Sequence, residues 1–169
     1  CLLVEQPNGD FAQTMARQFF FSCYSELMFA ELETSADPRL AEIAAKAVKE
    51  VRYHADLAAD WVIRLGDGTD ESRRRMIEGL DWFWRFVDEM FAMDAAENAL
   101  VQRGVAVDRA AIREAFDQRI AATLAQAGLE VQASGWPLSG GREGRHGEEL
   151  SRLLAEMQVL PRAHPEAVW

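Results

Sequence analysis

Residues 37–66, DPRLAEIAAKAVKEVRYHADLAADWVIRLG, decide the fold class. Asp37 is a strong N-cap, and Pro38 suits the first helical position, where a missing N–H costs nothing. From there Leu40, Ile43, Ala44, Ala47, Val48, Val51, Ala55, Ala58, Trp61, Val62 and Leu65 recur with a 3.6-residue period. The stop is equally clear at Gly66-Asp67-Gly68, whose glycines are free to take the left-handed C-cap conformation. The segment is therefore expected to form one long amphipathic helix.

The flanking sequence reads the same way. After the turn Gln6-Pro7-Asn8-Gly9, a helix is expected from about Asp10 to Glu33. Its stripe is Phe11, Met15, Phe19, Ser22, Leu27 or Cys23, and Ala30, with Phe20, Phe21, Tyr24 and Phe29 around it. So many aromatics leave little polar face, the pattern of a helix buried on more than one side. Downstream, Thr69 caps a third helix with Asp70 and Glu71 in its first turn. Its core face is Met76, Leu80, Phe83, Trp84, Val87 and Phe91, and it is expected to run on to Leu100. Gly104 breaks the pattern, and Asp108 is expected to cap a fourth helix that Gly128 closes after Ala127. A loop from Ser134-Gly135-Trp136-Pro137 to Gly140-Gly141 leads to a last helix, about Gly147 to Leu160, limited by Pro161 and Pro165. No strand alternation, internal repeat or low-complexity segment is present, so the chain is all-α, with helices long enough for a bundle.

Composition narrows the function. The 169 residues are 49% hydrophobic and 27% charged, as in a globular domain. Twenty-eight acidic residues against 18 basic ones give a net charge of −10, which argues against nucleic acid as a partner. No apolar run is long enough to span a bilayer. Two cysteines, Cys1 and Cys23, are too few for a disulfide scaffold and suit a reducing, cytoplasmic setting. The sequence opens at Cys1 inside the apolar run Leu2, Leu3 and Val4, which reads as a cut rather than a natural start.

Long helices with inward acids and histidines raise the question of a di-metal carboxylate bundle. Such sites take a Glu from each of two helices and a Glu-x-x-His pair from each of the other two. The nearest candidate is Glu50 with His54, spaced four apart rather than three, and the residue three before His54 is Val51, which cannot ligate. Glu26 is the acid that could face them. His54, on the apolar stripe, reads more simply as a hydrogen-bonded core residue. A second cluster, Gly140-Gly141-Arg142-Glu143-Gly144-Arg145-His146-Gly147, concentrates basic groups in an acidic chain. Arg142, Arg145 and His146 could bind a phosphate or a partner's carboxylate there, or simply belong to a solvated loop. Cys23, among Phe20, Phe21 and Tyr24, is in an inert setting. Trp61, Trp82 and Trp84 read as packing residues, with Trp82 off the main stripe and marking a second face for another subunit.

Several runs together resemble a known family. They are Leu3-Val4-Glu5-Gln6-Pro7-Asn8-Gly9; Ala44, Lys46, Lys49 and Glu50 with Arg52-Tyr53-His54; Arg64-Leu65-Gly66-Asp67-Gly68-Thr69; Gly140-Gly141, Gly144 and His146; Leu154-Ala155-Glu156-Met157-Gln158; and Trp169. The chain is similar over essentially its whole length to the C subunits of bacterial phenylacetyl-CoA epoxidases, the ring 1,2-monooxygenases of phenylacetate catabolism. The resemblance implies a ferritin-like fold and a structural, non-catalytic subunit with no cofactor of its own. It implies a di-iron catalytic subunit as partner, which epoxidises the ring of phenylacetyl-CoA with dioxygen and electrons from a separate reductase. Glu26, Glu50 and His54 would then be vestiges of a metal site, and Arg142, Arg145 and His146 would contact the partner or the CoA phosphates, with phenylacetyl-CoA at the interface. The expected assembly is a cytoplasmic hetero-oligomer, with a homodimer for the isolated chain, and neither nucleic acid nor membrane as a partner. The competing function is a ferritin-like di-metal oxidase with its own site; an unrelated helical adaptor is a third.

Family members carry a further helical pair ahead of Leu2. Residues 1–169 are accordingly expected to be a single ferritin-like domain from the C-terminal part of a longer subunit. On that basis Phe19, Phe20, Val48 and Trp61 should be exposed.

Overall fold

The computed structural model of the chain describes residues 1–131 and 135–168. Ser134 of the expected loop and Trp169 of the family resemblance lie outside the described residues. The described elements are helical: α1 (Leu2–Glu5), α2 (Phe11–Leu32), α3 (Pro38–Gly66), α4 (Asp70–Trp84), α5 (Val87–Phe91), α6 (Ala95–Gln102), α7 (Arg113–Ala127), a 3₁₀ turn (Gly141–Glu143), α8 (Glu148–Met157) and α9 (Val159–Ala163). Among the described residues no helix is long and apolar enough to cross a membrane.

The local start signals act as read. Asp10 and Gln13 form a reciprocal capping box ahead of α2, Asp37 accepts from the Arg39 and Leu40 amides ahead of α3, and Thr69 accepts from Ser72 N ahead of α4. The α2–α3 turn folds the two helices back antiparallel, so that Phe11 near the start of α2 packs edge-on to Trp61 near the end of α3, with ring centroids 4.9 Å apart. The remaining sides of α2 are covered by α4 and α7. This is the all-α, ferritin-like arrangement of helices expected from the sequence, with α2 as its central element. Gly79 allows the α2–α4 approach: a Cβ there would lie 3.3 Å from Ala12 O and 3.3 Å from Gln13 Cα.

The central place of α2 overturns one expectation. Phe19, Phe20 and Val48 are buried, and Trp61 is half-buried against Phe11. The helices present close a core of their own, with Phe19, Phe20, Leu80, Met76, Phe83 and Phe116 at its centre. Burial of side chains of this size stabilises by about 1.5–3 kcal/mol each.

Three helix boundaries differ from those expected, and α3 stops at Gly66 as expected but without a left-handed glycine. The third helix does not run to Leu100: it breaks after Trp84, where the Arg85 carbonyl instead accepts Leu138 N at 2.7 Å, and a new capping box of Asp94 and Glu97 starts α6. The fourth helix begins at Arg113 rather than at Asp108, whose carboxylate caps a preceding turn through Ala110 N at 3.0 Å. Gly66 belongs to α3 and neither it nor Gly68 has positive φ. Gly66 instead makes room, since a Cβ there would lie 2.8 Å from Leu129 Cδ1. Gly128, with φ 62°, does take the left-handed conformation that ends α7. The last helix stops at Met157, and Pro161 lies inside the first turn of α9, where its absent donor is harmless.

Candidate functional site

Glu26 lies on the buried side of α2 and is 8% exposed. An ionised carboxylate in that position needs compensating charge and donors. It has both. Arg52 of α3 donates from Nε to Glu26 Oε1 at 3.0 Å, and Arg119 of α7 donates from Nη1 to Glu26 Oε2. Arg119 Nη2 continues to Asp56 Oδ1 at 2.8 Å, so the chain of charges links α2, α3 and α7. Each oxygen of Glu26 holds a guanidinium.

Glu50 and His54 do not join this cluster. His54 Nε2 lies 3.6 Å from Glu50 Oε1, and the two side chains are 41% and 75% exposed. The expectation that His54 sits on the core stripe is therefore corrected. The buried face of α3 runs through Ala44, Val48, Ala55, Ala58 and Val62, and His54 lies about 100° around the helix from Ala55. Among the described residues, no group of three or more His, Cys, Asp or Glu side chains could hold a metal ion. Cys23 is fully buried beside Glu26, and burial pushes its thiol pKa up to about 12, so it is protonated and unreactive.

The basic loop is built around three carboxylates, Glu89, Glu97 and Glu5. Glu89 of α5 is 2% exposed and accepts N–H groups from Leu2, Gly140 and Arg142 at 2.6, 3.0 and 3.0 Å. Burial raises its pKa, but the donors outweigh burial and hold the carboxyl below the usual range. Glu97 of α6 receives Arg142 Nη2 and, at 2.6 Å, Arg109 Nη2. Burial raises the Glu97 pKa as well, and is again outweighed, chiefly by the Arg142 hydrogen bond. Glu5 of α1, with its side chain 5% exposed, meets His146 Nδ1 at 2.9 Å and accepts Gly147 N at 3.0 Å.

Two of the three expected anion-binding groups, Arg142 and His146, thus fasten the loop to α6 and α1. Arg145 pairs with Glu143 inside the loop and is 70% exposed. The signal available in sequence was Glu89 itself, an acid set among Phe86, Val87, Met90 and Phe91. An acid inside an apolar run of that kind marks a buried hydrogen-bonded carboxylate.

Trp84 and Trp82 have ring partners within the chain. Trp84 meets Phe20 edge-on at 5.5 Å. Trp82, 42% exposed, lies against Phe86 and under the Arg85 guanidinium. Two clefts, of about 310 Å³ beside Ser35 and Val105 and about 170 Å³ beside Met28 and Leu40, are lined by none of Glu26, Glu50, His54, Arg142, Arg145 or His146.

Comparison with known proteins bears directly on these arrangements. The family model described as phenylacetic acid catabolic protein matches residues 1–169. The chain is 44% identical over 168 residues to the C subunit of the 1,2-phenylacetyl-CoA epoxidase of Escherichia coli (strain K12), covering 99% of this chain and 68% of that protein.

Proposed function

Because this chain belongs to the phenylacetic acid catabolic protein family, we propose that it is a structural, non-catalytic subunit of a multicomponent epoxidase acting on phenylacetyl-CoA. The similarity along nearly the whole chain to one subunit of such an epoxidase supports the place in a complex of this kind. The observation that carries the non-catalytic role is the Arg52–Glu26–Arg119 clamp. A di-metal bundle needs about six inward carboxylate and imidazole ligands with free lone pairs. Here the buried acid spends both oxygens on guanidinium groups, whose positive charge would repel a second cation, while Glu50 and His54 pair on the surface.

In this reading the di-iron centre and the oxygen chemistry belong to a partner catalytic subunit, and this chain contributes surface and rigidity. Arg145 is the cation of the basic loop most accessible to a partner carboxylate or a CoA phosphate, because its pair with Glu143 is solvent-exposed whereas Arg142 and His146 are engaged with the shielded Glu97 and Glu5. The deciding experiment is iron analysis of the full-length subunit purified alone, beside the reconstituted complex. Iron should follow the complex and be absent from the subunit alone. Two irons retained per isolated chain, with oxygenase turnover, would overturn the proposal in favour of a di-metal oxidase.

A further inference from the structure

We propose that the cleft beside Met28 and Arg109 binds a small aromatic carboxylate, its ring among the apolar side chains and its carboxylate on Arg109. Met28 and Leu32 of α2, Leu40 of α3, Leu100 of α6, and Val105 and Val107 of the α6–α7 connection line this cleft, which holds about 170 Å³. A dry apolar cavity of about 150 Å³ takes one benzene ring. The lining therefore fits a single ring, and the Met28 thioether adds the sulfur contact that aromatic edges favour.

The polar groups select the charge of the ligand, because two donors at this cleft are underused. Arg109, its side chain 18% exposed, gives Nη2 to Glu97 Oε1 at 2.6 Å and reaches Ala92 O only at 3.4 Å. Its other N–H groups are left for a ligand oxygen. Glu97 lines the cleft as well, but Arg109 and Arg142 share it, so this cluster carries one positive charge in excess. One turn of α2 before Met28, Tyr24 is 6% exposed and donates its hydroxyl to Met28 Sδ at 3.2 Å, a weak acceptor for a buried phenol. Burial raises the Tyr24 pKa above its ordinary 10, against the pull of Arg109 and Arg142, so the hydroxyl keeps its proton at neutral pH. Met28 is unbranched and flexible, and rotation of its side chain turns the sulfur aside and opens Tyr24 O–H to a ligand oxygen. The larger cleft of about 310 Å³ shares Leu32, Val105 and Val107 with this one. Its charged residues are Glu31 and Asp108, with no cation in its lining among the described residues, so charge assigns an anion to the smaller cleft. A carboxylate with a ring-sized body satisfies both the apolar walls and the donors.

The test titrates the full-length subunit, labelled with carbon-13 at its methionine methyls, with benzoate and follows the Met28 signal, assigned from Met28→Leu. Benzoate should shift that signal with a dissociation constant on the order of 1 mM, as suits so small a ligand. The signals of the buried Met76 and Met90 should stay in place. Benzylammonium, similar in size and opposite in charge, should bind about tenfold more weakly. Tyr24→Phe and Arg109→Gln should each weaken benzoate about threefold to tenfold and leave benzene binding unchanged. Ala106→Phe, which fills the cleft from its wall, should abolish binding of both at an unchanged thermal midpoint. A Met28 signal that ignores benzoate up to roughly 20 mM, or that answers equally to benzoate and benzylammonium, would overturn the proposal with the wild-type chain alone. Benzoate bound as tightly by Ala106→Phe as by wild type would place the ligand elsewhere and overturn it too.

Discussion

Arg119 and Glu26 stand 93 residues apart in sequence, yet the guanidinium of one donates directly to the carboxylate of the other across the α2–α7 contact. Removing Arg119 leaves a nearly buried carboxylate with Arg52 alone. Arg119→Ala should therefore destabilise the full-length subunit by about 1–3 kcal/mol, below the roughly 3–5 kcal/mol for breaking a fully buried pair because Arg119 is 30% exposed and Arg52 still holds one oxygen. Urea unfolding would measure it. Arg119→Ala combined with Glu26→Leu should recover part of the loss, because no uncompensated charge remains. A single-variant cost below about 0.5 kcal/mol, the scale of an exposed pair, would show that the clamp contributes little.

Glu89 makes the loop sensitive to acid. Its pKa is lower in the folded chain than the ordinary 4.5, so its contribution is complete above that ordinary value and is lost as pH falls through the depressed one. Amide exchange of Gly140 and Arg142 should stay slow at neutral pH and accelerate, after correction for intrinsic rates, only well into acid. Glu89→Leu should release both amides at neutral pH, because Gly140 N and Arg142 N share the single acceptor Oε1 and a leucine offers none. Glu89→Gln, in contrast, can keep both on its one oxygen and lose Leu2 N instead. Unchanged protection in Glu89→Leu would refute the latch.

Arg145 and Arg142 should separate on substitution. Arg145 is 70% exposed, so Arg145→Ala should change stability by no more than about 0.5 kcal/mol. The same variant should weaken binding of phenylacetyl-CoA, or of the partner, by the assembled complex. Arg142→Ala should instead loosen the α6–loop contact and leave Glu97 to Arg109. Equal binding by wild type and Arg145→Ala would reduce this loop to a structural element.

Gly79 tests the α2–α4 approach. Alanine is the better helix former by about 1 kcal/mol, yet its methyl would press on the Ala12 and Gln13 backbone at 3.3 Å. Backbone yields less than a side-chain tip, so overpacking of about 1–3 kcal/mol should win. Gly79→Ala should lower the thermal midpoint by several degrees, and Gly79→Val by more. A raised midpoint would mean that α4 shifts without cost.

Local chemistry along the chain was enough to establish the α-helical class, the starts of α2, α3 and α4, and the close of α7. Each of these rests on groups a few residues apart: Asp10 with Gln13, Asp37 with Leu40, Thr69 with Ser72, and the left-handed freedom of Gly128. The family was legible too, because its runs are spread along the chain. Which charges meet was settled only by the packing of the helices. The apolar period of α3 could not tell that His54 lies at its outer edge, since a helix stripe is defined only by what packs on it. Nothing local to Glu26 announces Arg119, nothing local to Glu89 announces Gly140, and the break after Trp84 depends on Leu138 reaching the Arg85 carbonyl. A cap is satisfied within one turn of chain, whereas a buried carboxylate is satisfied only by whatever the folded helices bring to it.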